Sequence, residues 1–241
     1  MPTYYIVLDL EMNPTSRTLR CQCNDLKRET IEIGAVKIDA VTNTVVGEYT
    51  CVIRPQLNHQ VEPYITKLTG ITTKEVRNAP TFGQAFADFM AWVGDSPVGV
   101  YSWSDTDFMQ LIDECEAKGI HFPDQFVDWT DFQKEYPKYL GYSEDRCFNL
   151  RDAAKLLGVR GKSGKAHRAM YDAQVTAQLV LYAQTGEYEK YKGRIEVNVD
   201  RSRDTMTYSI GDACGGKLAA LLARMRVEQE RGAWEPAVCG R

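Results

Sequence analysis

Apolar and polar residues recur along the chain with two periods, and the switches between them lay out an order of strands and helices. The first run, Tyr4-Tyr5-Ile6-Val7-Leu8-Asp9-Leu10-Glu11, is rich in the aromatic and branched residues that suit a pleated strand. Residues 31–41 and 44–54 alternate apolar and polar on either side of Val41-Thr42-Asn43-Thr44, which predicts two antiparallel strands that continue the first as a meander. After Pro80 the spacing changes. Phe82, Ala85, Phe86, Phe89, Met90 and Val93 fall at helical intervals, so this helix turns its aromatics to a core. Pro97 to Tyr101 reads as a strand, and Met109, Leu111 and Ile112 continue it as a helix after a short polar turn. Phe126-Val127-Asp128-Trp129 predicts another short strand, Asp131 to Tyr139 a short helix, and Leu150 to Leu157 a helix ended by Gly158. A last long helix follows Lys165 and runs through Val175, Leu179, Val180 and Tyr182. The expectation is an α/β fold: a mixed five-stranded sheet, antiparallel meander first and parallel strands after, flanked by helices.

Length and composition add a boundary. At 241 residues, 44% hydrophobic and 26% charged, the chain can bury one sizeable core and carry an appended element. We expect one domain over 1–185 and a C-terminal extension over 186–241. In the extension Leu218, Leu221, Leu222, Met225 and Val227 predict an amphipathic helix, which either packs on the domain or serves self-association or a protein partner. No apolar run reaches membrane-spanning length, and Met-Pro-Thr-Tyr-Tyr does not begin a cleavable leader, so a cytoplasmic chain with no membrane partner is expected. The seven cysteines form no regular framework and read as reduced thiols, and Cys21-Gln22-Cys23 is too closely spaced for a zinc site.

The candidate chemistry begins with Asp9 and Glu11. Two apart on a strand, they project from one face while Leu8 and Leu10 enter a core on the other. Carboxylates held side by side repel unless a cation lies between them, which favours a hard divalent ion over a simple acid–base pair. Asp107 falls in the first turn of the helix after the Pro97–Tyr101 strand, with Ser104 or Asp105 as its cap; a shift of two would put Asp105 in its place. Asp172 belongs to the last long helix. His167 lies five residues earlier, roughly 140° around a helix, so it must occupy the preceding loop or first turn if the two are to meet. The glycine-rich Arg160-Gly161-Lys162-Ser163-Gly164-Lys165 segment gives it that freedom.

Asp9-x-Glu11, Asp107 in an aromatic and polar segment, and His167-x4-Asp172 together resemble the three motifs of the DnaQ-like DEDDh 3′→5′ exonucleases, over roughly the first 185 residues. The strand Glu29 to Val36 and the segment Tyr64 to Thr72 resemble further parts of that family. The sister class that uses tyrosine is excluded by spacing, because the residue four before Asp172 is Arg168. Asp9-Leu10-Glu11-Met12-Asn13 and Trp103-Ser104-Asp105-Thr106-Asp107 bring the chain closer to the KapD-like branch, related to histone-mRNA exonucleases, than to proofreading subunits. The resemblance implies a ribonuclease H-like sheet. It also implies two Mg²⁺ or Mn²⁺ ions on Asp9, Glu11, Asp107 and Asp172, His167 as general base, and hydrolysis at the 3′ end of single-stranded nucleic acid, RNA favoured over DNA. A DNA proofreader attached to a polymerase, and a silent nucleic-acid-binding module, are the alternatives.

Charge and the remaining side chains suggest how substrate is held. A net charge of −4 argues against clamping a long duplex, yet Arg151, Lys155, Arg160, Lys162, Lys165 and Arg168 cluster before and around His167, where a phosphate backbone would be held. Lys165 and Arg168 are the expected substrate contacts there. Met12 would pack beside the terminal sugar or base, and Trp103 would offer a stacking face.

Overall fold

The strand β1 (Tyr4–Pro14) occupies the centre of a five-stranded sheet because both of its faces are apolar over Ile6 to Leu8. It pairs antiparallel with β2 (Arg28–Asp39), which pairs antiparallel with the edge strand β3 (Thr44–Val52). On its other side it runs parallel to β4 (Val98–Ser102), which runs parallel to the short β5 (Trp129–Asp131). The order is β3-β2-β1-β4-β5, a meander followed by parallel strands, as the spacing of apolar residues predicts. Between them come α1 (Pro63–Thr69), α2 (Thr73–Arg77), α3 (Phe82–Val93), α4 (Asp105–Ala117), α5 (Phe132–Tyr139), α6 (Leu150–Leu157) and α7 (Ala169–Thr185). The computed structural model describes residues 1–15, 26–142, 146–162 and 164–191, all within the unit Met1–Thr207.

Strand periodicity divides the core in two. Ile6, Leu8 and Leu10 of β1 join Ile33 and Ala35 of β2 against Phe82, Phe86 and Phe89 of α3 and Leu111 of α4. Val7, Val36 and Ile38 face the opposite way, towards a cluster that includes Tyr136 of α5, Leu157 of α6 and Leu179 and Val180 of α7. Each such side chain, fully buried, contributes about 1.5–3 kcal/mol, so the register that places Asp9 on the same face as Val7 is held by both layers.

One expectation changes in the structure. Phe126 lies in a 3₁₀ turn, Asp124–Phe126, and the strand expected over 126–129 begins only at Trp129. The turn buries Phe126 edge-on to Phe89 and Trp129, a contact that strand alternation would not allow. The last helix starts at Ala169, after Lys165 and His167. Beyond residue 185, where the extension is expected to begin, Tyr188 is buried against Tyr136, Tyr139 and Tyr182. The helix expected around Leu218 to Val227, and Cys21 and Cys23, lie outside the described residues. Among the described residues no helix is long and apolar enough to cross a membrane, and Cys51 and Cys115 are free thiols.

Candidate active site

β1 outlasts its parallel neighbour. Pairing with β4 ends at Val7 opposite Tyr101, and beyond Ser102 the chain leaves the sheet for α4. Ser104 caps that helix by accepting the Thr106 N–H. Its first turn brings a buried carboxylate, Asp107, to the place a strand would fill, and Asp107 Oδ1 accepts the Leu10 N–H at 3.2 Å. Asp105 turns away, 3.2 Å from the Lys134 ammonium. It is Asp107 that meets β1.

On the other side of β1 the register sets Asp9 opposite Gly34 and Glu11 opposite Glu32. Gly34 is where α7 touches the sheet: a Cβ built there would lie 2.2 Å from both Ala169 C and Met170 N. The missing side chain lets the helix backbone rest on the strand, and Asp172, in the first turn, then reaches Asp9 and Glu11. Ligand oxygens of these three residues lie within 4.8 Å of one another. In the sequence Gly34 is a lone glycine inside an apolar run, the signal of a close backbone approach.

The start of α7 is fixed by charge. Glu32 is buried, and both its oxygens accept from Arg168 Nε at 3.0 Å while Oε2 also accepts the Ala169 N–H at 2.9 Å. Arg168 further approaches Glu75 at 3.5 Å. An anion at a helix N-terminus, doubly bonded by a guanidinium, satisfies a free backbone donor and anchors the helix. Arg168 therefore spends its guanidinium on the fold, in place of the expected contact with a phosphate backbone. Glu32 was missed as a contributor, because nothing in a strand's alternation distinguishes an acid that will meet a helix 136 residues away.

His167 lies outside the helix, as its distance from Asp172 requires. Its backbone takes a left-handed conformation, φ 64°, and its N–H donates to Asp172 Oδ2 at 2.9 Å, leaving the ring exposed beside the acids. The preceding loop is tied down: the Lys162 N–H donates to Gln174 Oε1 at 2.8 Å, and Gly161 abuts Tyr171 so closely that a Cβ would lie 2.4 Å from the ring. Glycine here supplies contact as much as freedom. Lys165 is exposed and extends to Gly70 at the end of α1, its Nζ 3.0 Å from where a Cβ at Gly70 would lie.

The other two expected substrate contacts divide. Met12 follows a β-bulge after Glu11 and is half-buried against the α3-side core, with part of its surface open at the end of β1. Trp103 is in the core. Its ring packs edge-on to Tyr136 and Phe132, with centroids 5.4 and 6.3 Å away, so it offers no face to a base. The turn after β4 directs it beneath α5.

The electrostatics are those of an anion cluster. Burial, then Asp172, Glu32 and Asp107, push the Glu11 carboxyl up to about 8, with Arg168 pulling the other way. Burial pushes Asp107 up to about 7 against the opposing Leu10 N–H and the Arg28 charge. Asp9 is raised by burial and by Asp107, Asp172, Glu11 and Glu32, and Asp172 by burial despite the His167 N–H. Carboxyls that hold protons because they are buried and, at Asp9 and Glu11, crowded by other acids are the donor set a divalent cation replaces protons on. Asp9, Glu11 and Asp172 fit such an ion, with Asp107 adjoining through Leu10.

A family model described as exonuclease, RNase_T, matches residues 6–180. ERI1 exoribonuclease 2 of Danio rerio is 27% identical over 173 residues, covering 63% of this chain and 30% of the relative. The 3′-5′ exonuclease Snipper of Drosophila melanogaster is 26% identical over 193 residues, covering 72% of this chain and 67% of the relative. The chain thus spans under a third of the first relative and about two thirds of the second. The solved nuclease domain of 3′hExo, a DEDDh family member bound to rAMP, superposes with a TM-score of 0.65 at 20% identity, covering 77% of this chain and 94% of that one. At that identity the likeness is one of fold, and it is the ribonuclease H-like fold expected from the motifs.

Proposed function

The chain belongs to the RNase_T family of exonucleases, and from that premise we propose that it is a metal-dependent 3′→5′ exonuclease acting on single-stranded nucleic acid, RNA in preference to DNA, and releasing nucleoside 5′-monophosphates. The observation that carries this reading is the meeting of Asp9, Glu11 and Asp172 within 4.8 Å, with Asp107 bonded to the strand beside them. These four residues would hold two Mg²⁺ or Mn²⁺ ions. When bound, such ions neutralise the phosphodiester and make water a stronger acid.

The chain's own groups supply the rest. Asp9, central on β1, faces α7 and adjoins Asp107, and would contribute to holding both ions. Glu11 and Asp172 would help hold one, and Asp107 the other. His167 presents an exposed imidazole next to Asp172 and takes the proton of the attacking water as general base. The left-handed backbone and the N–H bond to Asp172 hold it at the site while leaving the ring free to turn. Met12, at the end of β1, lies against the terminal nucleoside, and Lys165 lies on the approach. The preference for RNA rests on the kinship with exoribonucleases, and a cytoplasmic setting on the free thiols.

The test is a time course on 5′-labelled single-stranded RNA and DNA with Mg²⁺, Mn²⁺ or chelator. Ladders should shorten from the 3′ end, only with metal, and faster on RNA. His167→Ala should slow the reaction about 10²–10⁴-fold, and Asp9→Asn should abolish it with an unchanged circular dichroism spectrum. Full metal-dependent activity in Asp9→Asn would overturn the assignment.

A further inference from the structure

A cleft of about 500 Å³ opens beside the acids, between α6, the loop after it and the first turns of α7. His167 and Asp172 form one end of it. Its volume is that of a small-ligand pocket, and its floor is apolar, with Ala154, Val159, Tyr171 and Val175 among its lining. Arg151, Lys155 and Arg160 stand along the same cleft and are exposed. The combination of apolar floor and cationic rim suits a base and its phosphate together.

The cations are not explained by the fold. Among the described residues none of the three makes an ion pair, whereas Lys118, Lys134, Lys162, Arg168 and Lys190 all do. Lys155, in the last turn of α6, is favoured there by the helix dipole, but Arg151 sits in the first turn, where a positive charge is disfavoured. The helix tolerates that cost at a position one turn before Lys155, with Cβ atoms about 5–6 Å apart. Two cations one turn apart on α6 and a third on the loop after it offer more positive charge than a single phosphate needs. In a chain of net charge −4 the cluster is a local exception that runs straight to the catalytic end.

We propose that this cleft binds the single strand that leads into the active site, the nucleotides on the 5′ side of the scissile bond, with phosphates on Arg151, Lys155 and Arg160 and bases over the apolar floor. The inference rests on the exonuclease reading and extends it. The released terminal nucleotide then lies on the β1 side, against Met12, and the retained strand lies along α6.

Two substrates separate these sides. A 5′-labelled 12-mer RNA has the upstream strand, and the p-nitrophenyl ester of thymidine 5′-monophosphate has the terminal nucleotide and a phosphodiester but no strand. In Arg151→Ala/Lys155→Ala, two exposed positions, KM for the 12-mer should rise at least about tenfold while hydrolysis of the ester stays within twofold of wild type. Binding of the labelled 12-mer in chelator, followed by fluorescence anisotropy, should show a salt dependence shallower by about 0.7 per lost contact, about 1.4 in the log–log slope for the pair. An equal loss on both substrates, or no change in the slope, overturns the strand site while leaving the exonuclease reading in place. A wild-type protein inactive on both substrates with either metal overturns the exonuclease reading, and this one with it.

Discussion

Gly34→Ala adds one methyl group at the point where the sheet and α7 meet. The added carbon would lie 2.2 Å from Ala169 C and Met170 N, where the ordinary range begins at 3.4 Å, and both neighbours are backbone atoms that no rotamer change can move aside. The first turn of α7 must retreat by about 1.2 Å, the shortfall between those two distances, and it carries Asp172 and the His167 N–H bond with it. Catalytic constellations need to be held within about 0.5 Å, and a displacement of about 1 Å costs on the order of 10²-fold in rate. Overpacking of this kind also destabilises by about 1–3 kcal/mol, which lowers the melting temperature by roughly 2–4 °C per kcal/mol in a domain of this size. The expected outcome is a folded protein that melts several degrees lower, needs more Mn²⁺ to reach half-maximal rate, and degrades a labelled oligonucleotide about 10²-fold more slowly at saturating metal. The assays are a thermal melt and a metal titration of kcat. A variant with wild-type melting and wild-type kcat would refute the claim that Gly34 sets the position of Asp172.

Two further outcomes follow from the charges. Glu32→Gln removes the anion that ties Arg168 and the Ala169 N–H to β2; charged hydrogen bonds contribute about 1.5–3 kcal/mol each, so the metal-free protein should melt at least several degrees lower, and an unchanged melt would show that the ion pair does not anchor α7. In chelator, stability should fall as pH rises: the unfolded chain sheds its carboxyl protons near pH 4, the folded chain keeps those on Asp107 and Glu11 to about 7 and about 8, and between these values the folded form binds more protons, with a ceiling for Glu11 alone of about 5 kcal/mol. Melts at pH 5.5 and 8.5 should therefore differ in chelator and converge in saturating Mn²⁺; a chelated protein more stable at pH 8.5 would contradict the crowding of the acids.

The parts legible in the sequence are those set by local period. Alternation in β1 places Asp9 and Glu11 together without reference to any other segment, and helical spacing puts Asp107 in a first turn and Asp172 on the last long helix. The order of strands follows from the same spacing. Parts that depend on two distant segments meeting were not legible. Trp103 looks the same in sequence whether it faces solvent or Tyr136, and only the direction of the turn after β4 decides between them. Arg168 belongs by composition to the basic cluster, yet its partner is an acid on β2. Gly34 and Glu32 neighbour the catalytic acids through pairing of β1 with β2, and a strand reads the same whichever neighbour it acquires.

The arrangement of acids then has a single physical logic. Five carboxylates gather where β1, β2, α4 and α7 converge, and one of them, Glu32, is neutralised by a guanidinium from within the chain. That one acid builds the site, by holding the helix that carries Asp172. Burial raises the proton affinity of the other four, and at Asp9 and Glu11 the neighbouring acids raise it further. Arg168 and Arg28 oppose only part of the rise, at Glu11 and Asp107. The repulsion that Asp107 and Asp172 exert on buried Asp9 would be relieved by a divalent cation. Packing of apolar side chains on both faces of the sheet sustains that repulsion in the free protein, which is why a residue with no charge at all, Gly34, is the most direct handle on the affinity of the site for its ions.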